Sequence, residues 1–326
     1  MDFSPEFFRK EIRCEFEISS MMKRAWAAEL EVLQVVADVC EKNGLQYYAD
    51  WGTLLGAVRH QGFIPWDDDI DICLKREEYM ELIRILPEWL PKGFVMAGMY
   101  ADSERLRQAA LCHNIRVMAD EEQWDFNDYM KRFHGFPYQR IGIDIFSLDY
   151  MPRDNELVEV QKDILTYGIV ILQYWDELKQ SGELDAKLTS MEQLCSVAIP
   201  RDDSAMNFVY RMIDSVAALY GADDAEDMTE YPFYVARPGY RLKKEWYEET
   251  VKVPFEQTEI VVPFRYHEVL TALYGDYMVW DKGGSGHEYP FYGRMEKALE
   301  EQVRAVGFPG TVEEFCQKVS SGEWRV

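Results

Sequence analysis

A chain of 326 residues, 48% of them hydrophobic, is long enough for one large core or two domains. Its formal net charge of −24 repels phosphodiester backbones and anionic headgroups, which argues against a nucleic-acid reader and against tight binding to anionic lipid. There is no run of about 18 apolar residues to span a membrane, and the start, Met1-Asp2-Phe3-Ser4-Pro5-Glu6, lacks the basic-then-apolar order of a signal peptide. Cys14, Cys40, Cys73, Cys112, Cys195 and Cys316 are scattered, without CxxC pairs or histidines at zinc-like spacing, the pattern of reduced thiols in a cytoplasmic protein.

In chain order, Met22, Trp26, Leu30, Leu33 and Val36 recur at helical spacing and predict an amphipathic helix over 20–42. Ser19 or Ser20 caps it, and Asn43-Gly44 stops it. Leu45 to Asp50 is a short strand, and Gly52-Thr53 opens a short helix that runs to Arg59-His60. A turn at Gln61-Gly62 and Pro65 leads into an acidic strand. Residues 76–90 form a second helix, ended near Pro91-Lys92-Gly93. Phe94 to Met99 and Leu111 to Met118 are strand candidates. Residues 119–140, acidic and aromatic, are expected to be an insertion or mobile loop. Ile141 to Phe146 alternates as a strand. Helices are expected over 156–181 and 203–220, a polar connection over 222–228, extended chain over 250–263 and a helix over 265–275, ended by Gly275. Gly283-Gly284-Ser285-Gly286-His287 has the composition of a loop.

The chemistry concentrates in Asp67-Asp68-Asp69-Ile70-Asp71. Four carboxylates in five residues repel one another and cannot be buried unpaired. Yet Ile70, Ile72 and Leu74 have the spacing of the buried half of a strand. Side chains alternate along a strand, so Asp67, Asp69 and Asp71 project from one face, with Asp68 pointing away. Acids held so on a strand end suit a hard divalent cation such as magnesium, which takes oxygen ligands from carboxylates and substrate phosphates. Asp144, flanked by Ile143 and Ile145 on another strand, completes a carboxylate cluster. Gly52-Thr53 at a helix start offers free N–H groups to a phosphate. An EF-hand is the rival. With Asp67 as position one, Asp69, Asp71 and Glu78 fall at positions three, five and twelve. Position six needs Gly for its sharp turn and is Ile72.

The stretch from Trp51-Gly52-Thr53-Leu54-Leu55-Gly56 through Gly62-Phe63-Ile64-Pro65-Trp66-Asp67-Asp68-Asp69-Ile70-Asp71 strongly resembles the signature of the LicD family, which contains bacterial phosphocholine transferases and is related to fukutin and fukutin-related protein. The likeness is strongest over 44–90. It continues in Gly142-Ile143-Asp144-Ile145-Phe146 and fades to an echo at Val253-Pro254-Phe255-Glu256 and Tyr274-Gly275-Asp276. It implies an α+β, nucleotidyltransferase-like mixed sheet flanked by helices over 1–152, with a mostly helical region over 153–326 packed on it to complete the substrate site.

It further implies a site in which Asp69, Asp71 and Asp144, with Asp67 as a fourth ligand or beside them, hold Mg²⁺ (or Mn²⁺) against the diphosphate of a CDP donor such as CDP-choline. A phosphoalcohol then passes to a glycan hydroxyl, lipid-linked glycans included, and CMP leaves. Asp144 is placed to help deprotonate the acceptor. Gly52, Thr53, Arg59 and Trp66 are the expected substrate-binding residues, with Arg116 a weaker phosphate candidate. Trp51, Trp66, Trp124 or Tyr129 would supply ring faces to choline. Two other readings stand beside this one: a nucleotidyltransferase that uses an NTP and releases pyrophosphate, and a non-catalytic ligand-binding relative.

Overall fold

The computed structural model describes residues 1–280 and 289–326. An antiparallel hairpin of β1 (Glu11–Arg13) and β2 (Phe16–Ile18) precedes the long helix α1 (Ser20–Asn43). Ser19 caps α1 by accepting the Met22 N–H at 3.0 Å, and Gly44 ends it with φ at 67°, a left-handed conformation open to glycine. Trp26, Leu30, Leu33 and Val36 are buried, as their spacing predicts.

The chain then runs β3 (Tyr48–Ala49), α2 (Trp51–His60), β4 (Asp71–Lys75), α3 (Arg76–Trp89), β5 (Phe94–Gly98), α4 (Glu104–Ala109), β6 (Ile115–Ala119), α5 (Phe126–Arg132) and β7 (Gly142–Pro152). The strands lie in the order β3-β4-β7-β6-β5. Only β4 and β7 are parallel; the other neighbours in this order are antiparallel. Such a mixed sheet flanked by helices is the expected α+β architecture.

Beyond it come α6 (Asn155–Gln173), α7 (Trp175–Ser181), α8 (Leu184–Cys195), α9 (Ala205–Ala217), β8 (Ala225–Thr229), α10 (Tyr231–Ala236) and β9 (Leu242–Lys243). An antiparallel hairpin, β10 (Thr250–Phe255) and β11 (Thr258–Pro263), leads to α11 (Tyr266–Tyr274), α12 (Glu296–Ala305) and α13 (Val312–Ser321).

Three expectations change. Residues 119–140 are not a loose insertion: α5 lies within them, and Tyr129, Met130, Phe133 and Phe136 are buried. Their aromatic content is core. The polar stretch 222–228 contains most of β8, which pairs antiparallel with the far end of β7. Ala225 and Met228 supply its buried positions, a signal that the surrounding acids obscure. Finally, the hydrogen-bonded strand begins only at Asp71, although exposure alternates before it: Asp67, Asp69 and Asp71 are half-buried, while Asp68, Ile70 and Ile72 are buried. The Gly-rich run at 283–287 lies outside the described residues.

Two buried charges tie the layers together. Arg76, at the start of α3, donates to Asp149 on β7 at 2.5 Å, to Ser147 at 2.8 Å and to Asp214 on α9 at 3.0 Å. Glu256, after β10, accepts two N–H groups from Arg13, at 2.6 and 2.8 Å, and the Phe63 N–H at 3.1 Å.

Candidate active site

Strand register assembles the site. Asp50 follows β3 and donates its N–H to the Asp71 carbonyl at 3.0 Å. Asp71 lies opposite Asp144 in the parallel β4–β7 pair, and Asp144 lies opposite Arg116 in the antiparallel β6–β7 pair. Directly opposed residues share a face. The result is a row across four strands that reads Asp50, Asp71, Asp144, Arg116. One step along the same face, Phe146 is half-buried, as Asp144 is.

The acids press on one another. Burial pushes the Asp71 carboxyl well above the usual carboxylate range, and the charges of Asp69, Asp144 and Asp50 push it further. Asp67 is raised by burial and then by Asp69 and Asp68. Glu29, on α1, is 1% exposed and is raised by burial and by Asp69 and Asp68. Glu230, 2% exposed, is raised by burial and then by Asp50. No donor among the described residues reaches Asp50 Oδ2 or Glu29 Oε2, both of which are buried. Glu29 and Asp50 could have been found from the sequence: Glu29 interrupts the apolar stripe between Trp26 and Leu33, and Asp50 continues the alternation of Tyr48. Glu230 carries no such signal.

This donor set fits a hard cation in chemistry: carboxylate oxygens only, mutually repelling and partly unpartnered. Among the described residues, however, no group of three His, Cys, Asp or Glu side chains is arranged to hold a metal ion. Asp144 is committed elsewhere. Its Oδ1 accepts from Asn114 at 2.8 Å and its Oδ2 from Arg116 at 2.6 Å. Asp68 points to the opposite side and accepts the Phe291 N–H at 2.6 Å, which matches its expected orientation.

The other candidates divide. Asp50 caps α2 by accepting the Trp51 N–H at 2.9 Å. Thr53 is buried and its Oγ1 accepts the Asp71 N–H at 2.8 Å, so it fixes the first strand residue of the acidic run. Gly52 sits against Asp67: a Cβ there would strike Asp67 Oδ2. Gly52→Ala is therefore expected to displace the Asp67 carboxylate while leaving the fold intact. Activity should fall by about 10- to 100-fold with a melting temperature near wild type; unchanged activity in a steady-state assay would remove Asp67 from the site.

Arg59 lies in the last turn of α2 and donates to His60 Nε2 and to the Tyr277 carbonyl, both at 2.9 Å, away from the acids. Arg116 takes the place beside them. Trp66 is 5% exposed, packed against Phe16 and His60, and shows no open ring face. Trp124 packs against Phe94 and Phe133, and Tyr129 is buried against Phe133. Of the four ring candidates Trp51 is the one hydrogen-bonded to one of these buried acids: it is half-buried and donates its Nε1–H to Glu230 at 3.2 Å.

Residues 44–159 match the family described as LicD/FKTN/FKRP, nucleotidyltransferase domain. The chain is 24% identical over 259 residues to the lipopolysaccharide cholinephosphotransferase LicD of Haemophilus influenzae, an alignment covering 76% of this chain and 88% of that protein. It is 42% identical over 48 residues to the ribitol 5-phosphate transferase FKRP of Mus musculus, covering 15% of this chain and 10% of that protein. The uncharacterized protein RP689 of Rickettsia prowazekii is 44% identical over 71 residues, 21% of this chain and 27% of its own. No helix among the described residues is long and apolar enough to cross a membrane. Residues 44–159, which carry Asp67, Asp69, Asp71 and Asp144, are thus similar to the nucleotidyltransferase domain of the LicD family.

Proposed function

We propose that this protein transfers a phosphoalcohol, phosphocholine foremost, from a CDP-activated donor to a glycan hydroxyl and releases CMP. The observation that carries the reading is the in-register pairing of Asp71 with Asp144 beside the half-buried Asp67 and Asp69. In a phosphoryl transfer the protein contributes positioning and electrostatics rather than covalent chemistry, and a rigid row of acids beside one arginine supplies both.

Asp69, Asp71 and Asp144, with Asp67 beside them, would hold Mg²⁺ or Mn²⁺. Such an ion, when bound, neutralises charge on the donor's diphosphate. Asp144 receives the proton of the acceptor hydroxyl; each of its oxygens keeps a lone pair beyond the bond to Asn114 or Arg116. The acceptor oxygen bonds to the distal phosphorus as the bond from that phosphorus to the bridging oxygen breaks. The bridging oxygen leaves with CMP, and Arg116 offsets charge on the phosphates. All six cysteines are free, which supports the reduced setting of the cytoplasm. A lipid-linked acceptor would be met at the membrane surface.

The test is to incubate the protein with Mg²⁺ and CDP-choline, CDP-ethanolamine, CDP-glycerol or CDP-ribitol, with and without glycan acceptor, and to follow CMP. CMP release that Asp69→Ala abolishes is expected. Pyrophosphate from an NTP, with every CDP compound untouched, would establish a nucleotidyltransferase instead. No turnover of either class would leave a binding protein.

A further inference from the structure

A cavity of about 280 Å³ is lined by the start of α1 together with residues of α12 and α13. Its lining carries two opposite charges. One belongs to Arg24, which is only 6% exposed. The Arg24 Nη1 donates to the His134 carbonyl, its Nε has no acceptor, and it forms no ion pair among the described residues. The guanidinium is fixed in place: its carbon lies 5.3 Å from the centre of the Phe8 ring, and a Cβ at Gly135 would strike Nη1. Burial lowers its pKa, and Cys316 and Glu313 offset this only in part. Ser20 and Met21 line the cavity beside it. Ser19 accepts the N–H groups of Met22 and Lys23, which leaves those of Ser20 and Met21 without an acceptor in the helix. The first turn of α1 holds no acid, so this 24-residue helix opens with its positive end uncompensated.

The opposite charge comes from Glu296 and Glu300, one turn apart on α12, and from Glu313 in the first turn of α13. All three are exposed. Leu299, Val312 and the buried Tyr138 add apolar surface. A buried guanidinium without a counter-charge is costly, and a bound anion would offset that cost. A simple anion, however, meets three glutamates, and a simple cation meets Arg24. A small molecule that carries both charges satisfies both. We propose that this cavity binds a free α-amino acid with an apolar side chain. Its carboxylate lies on Arg24 and the N-terminus of α1, its ammonium group faces Glu296, Glu300 and Glu313, and its side chain packs on Leu299 and Val312. Of the residues named as lining this site, Tyr138 alone falls within 44–159, and none belongs to the acidic row.

Isothermal titration calorimetry on the full chain tests this with leucine as the probe. Leucine should bind at one site. Isocaproate, which lacks the ammonium group, and isoamylamine, which lacks the carboxylate, should each bind at least about tenfold more weakly. Saturating leucine should raise the melting temperature by about 2 °C or more. Exchanging both exposed glutamates of α12, Glu296→Gln with Glu300→Gln, should weaken leucine about tenfold and leave isocaproate as tight or tighter. Arg24→Met should abolish binding of both carboxylates; because Arg24 is buried and its variant can fail to fold, the glutamate pair decides on its own. Leucine that neither releases heat nor stabilises the chain at millimolar concentration would overturn the proposal. So would equal affinity for leucine and isocaproate, or leucine binding that the glutamate pair leaves unchanged.

Discussion

Asp71→Asn is expected to abolish measurable transfer, a loss of about 10³-fold or more, and to raise thermal stability at the same time. The two effects share one cause. Asp71 is pushed toward its protonated form by burial and by Asp69, Asp144 and Asp50, so the folded chain holds the charge at a cost. A neutral amide of the same shape relieves that repulsion but offers an oxygen of far weaker affinity for a hard cation. The Asp71 N–H to Thr53 bond involves the backbone and survives the change. Calorimetry should show a melting temperature higher by about 2–4 °C for each kcal/mol relieved. A variant that is more stable and inactive marks a functional acid. One that is less stable and still active would show that Asp71 serves the fold alone.

Arg76→Met should be the most destabilising single change, by about 3–5 kcal/mol. Arg76 answers both Asp149 and Asp214, and all three side chains are buried. Removing the guanidinium strands two carboxylates, and the Tyr100 hydroxyl, which also bonds Asp214, cannot replace it. Urea unfolding provides the number. Adding Asp149→Asn and Asp214→Asn to Arg76→Met should recover most of the loss, because the penalty comes from unpaired charge more than from lost attraction. A loss below about 1 kcal/mol in the single variant would mean that the network is solvated.

Much of this was legible in the sequence because it is local. The Ser19 cap, the Gly44 stop, the helix opened by Trp51-Gly52-Thr53 and the Ile143/Ile145 alternation all depend on neighbours within a few residues. The sharing of one side by Asp67, Asp69 and Asp71 was legible too, although for four of the five residues in the run it holds in extended chain ahead of the strand. What was hidden depends on long-range register. Nothing near Arg116 announces that β6 will pair with β7 and set it opposite Asp144, whereas Arg59, close to the acids in sequence, is carried away along α2. Aromatic residues misled for the opposite reason: Trp66, Trp124 and Tyr129 serve packing, and only tertiary structure separates them from Trp51.

The clasp at Glu256 sets a timetable. The turn before the acidic run is anchored by Phe63 to Glu256, and Asp68 is anchored by Phe291. While the chain is being synthesised, at about 5–20 residues per second, the acids leave the ribosome some 200 residues before their anchors do. In that interval they have like-charged neighbours and no clasp, so the nascent chain carries all of residues 44–159 before the contacts that hold the acids in place exist. The acidic run is thus clasped only once residues 256 and 291 have emerged, and a fragment ending near residue 159 should behave as an unfinished protein rather than as a small enzyme.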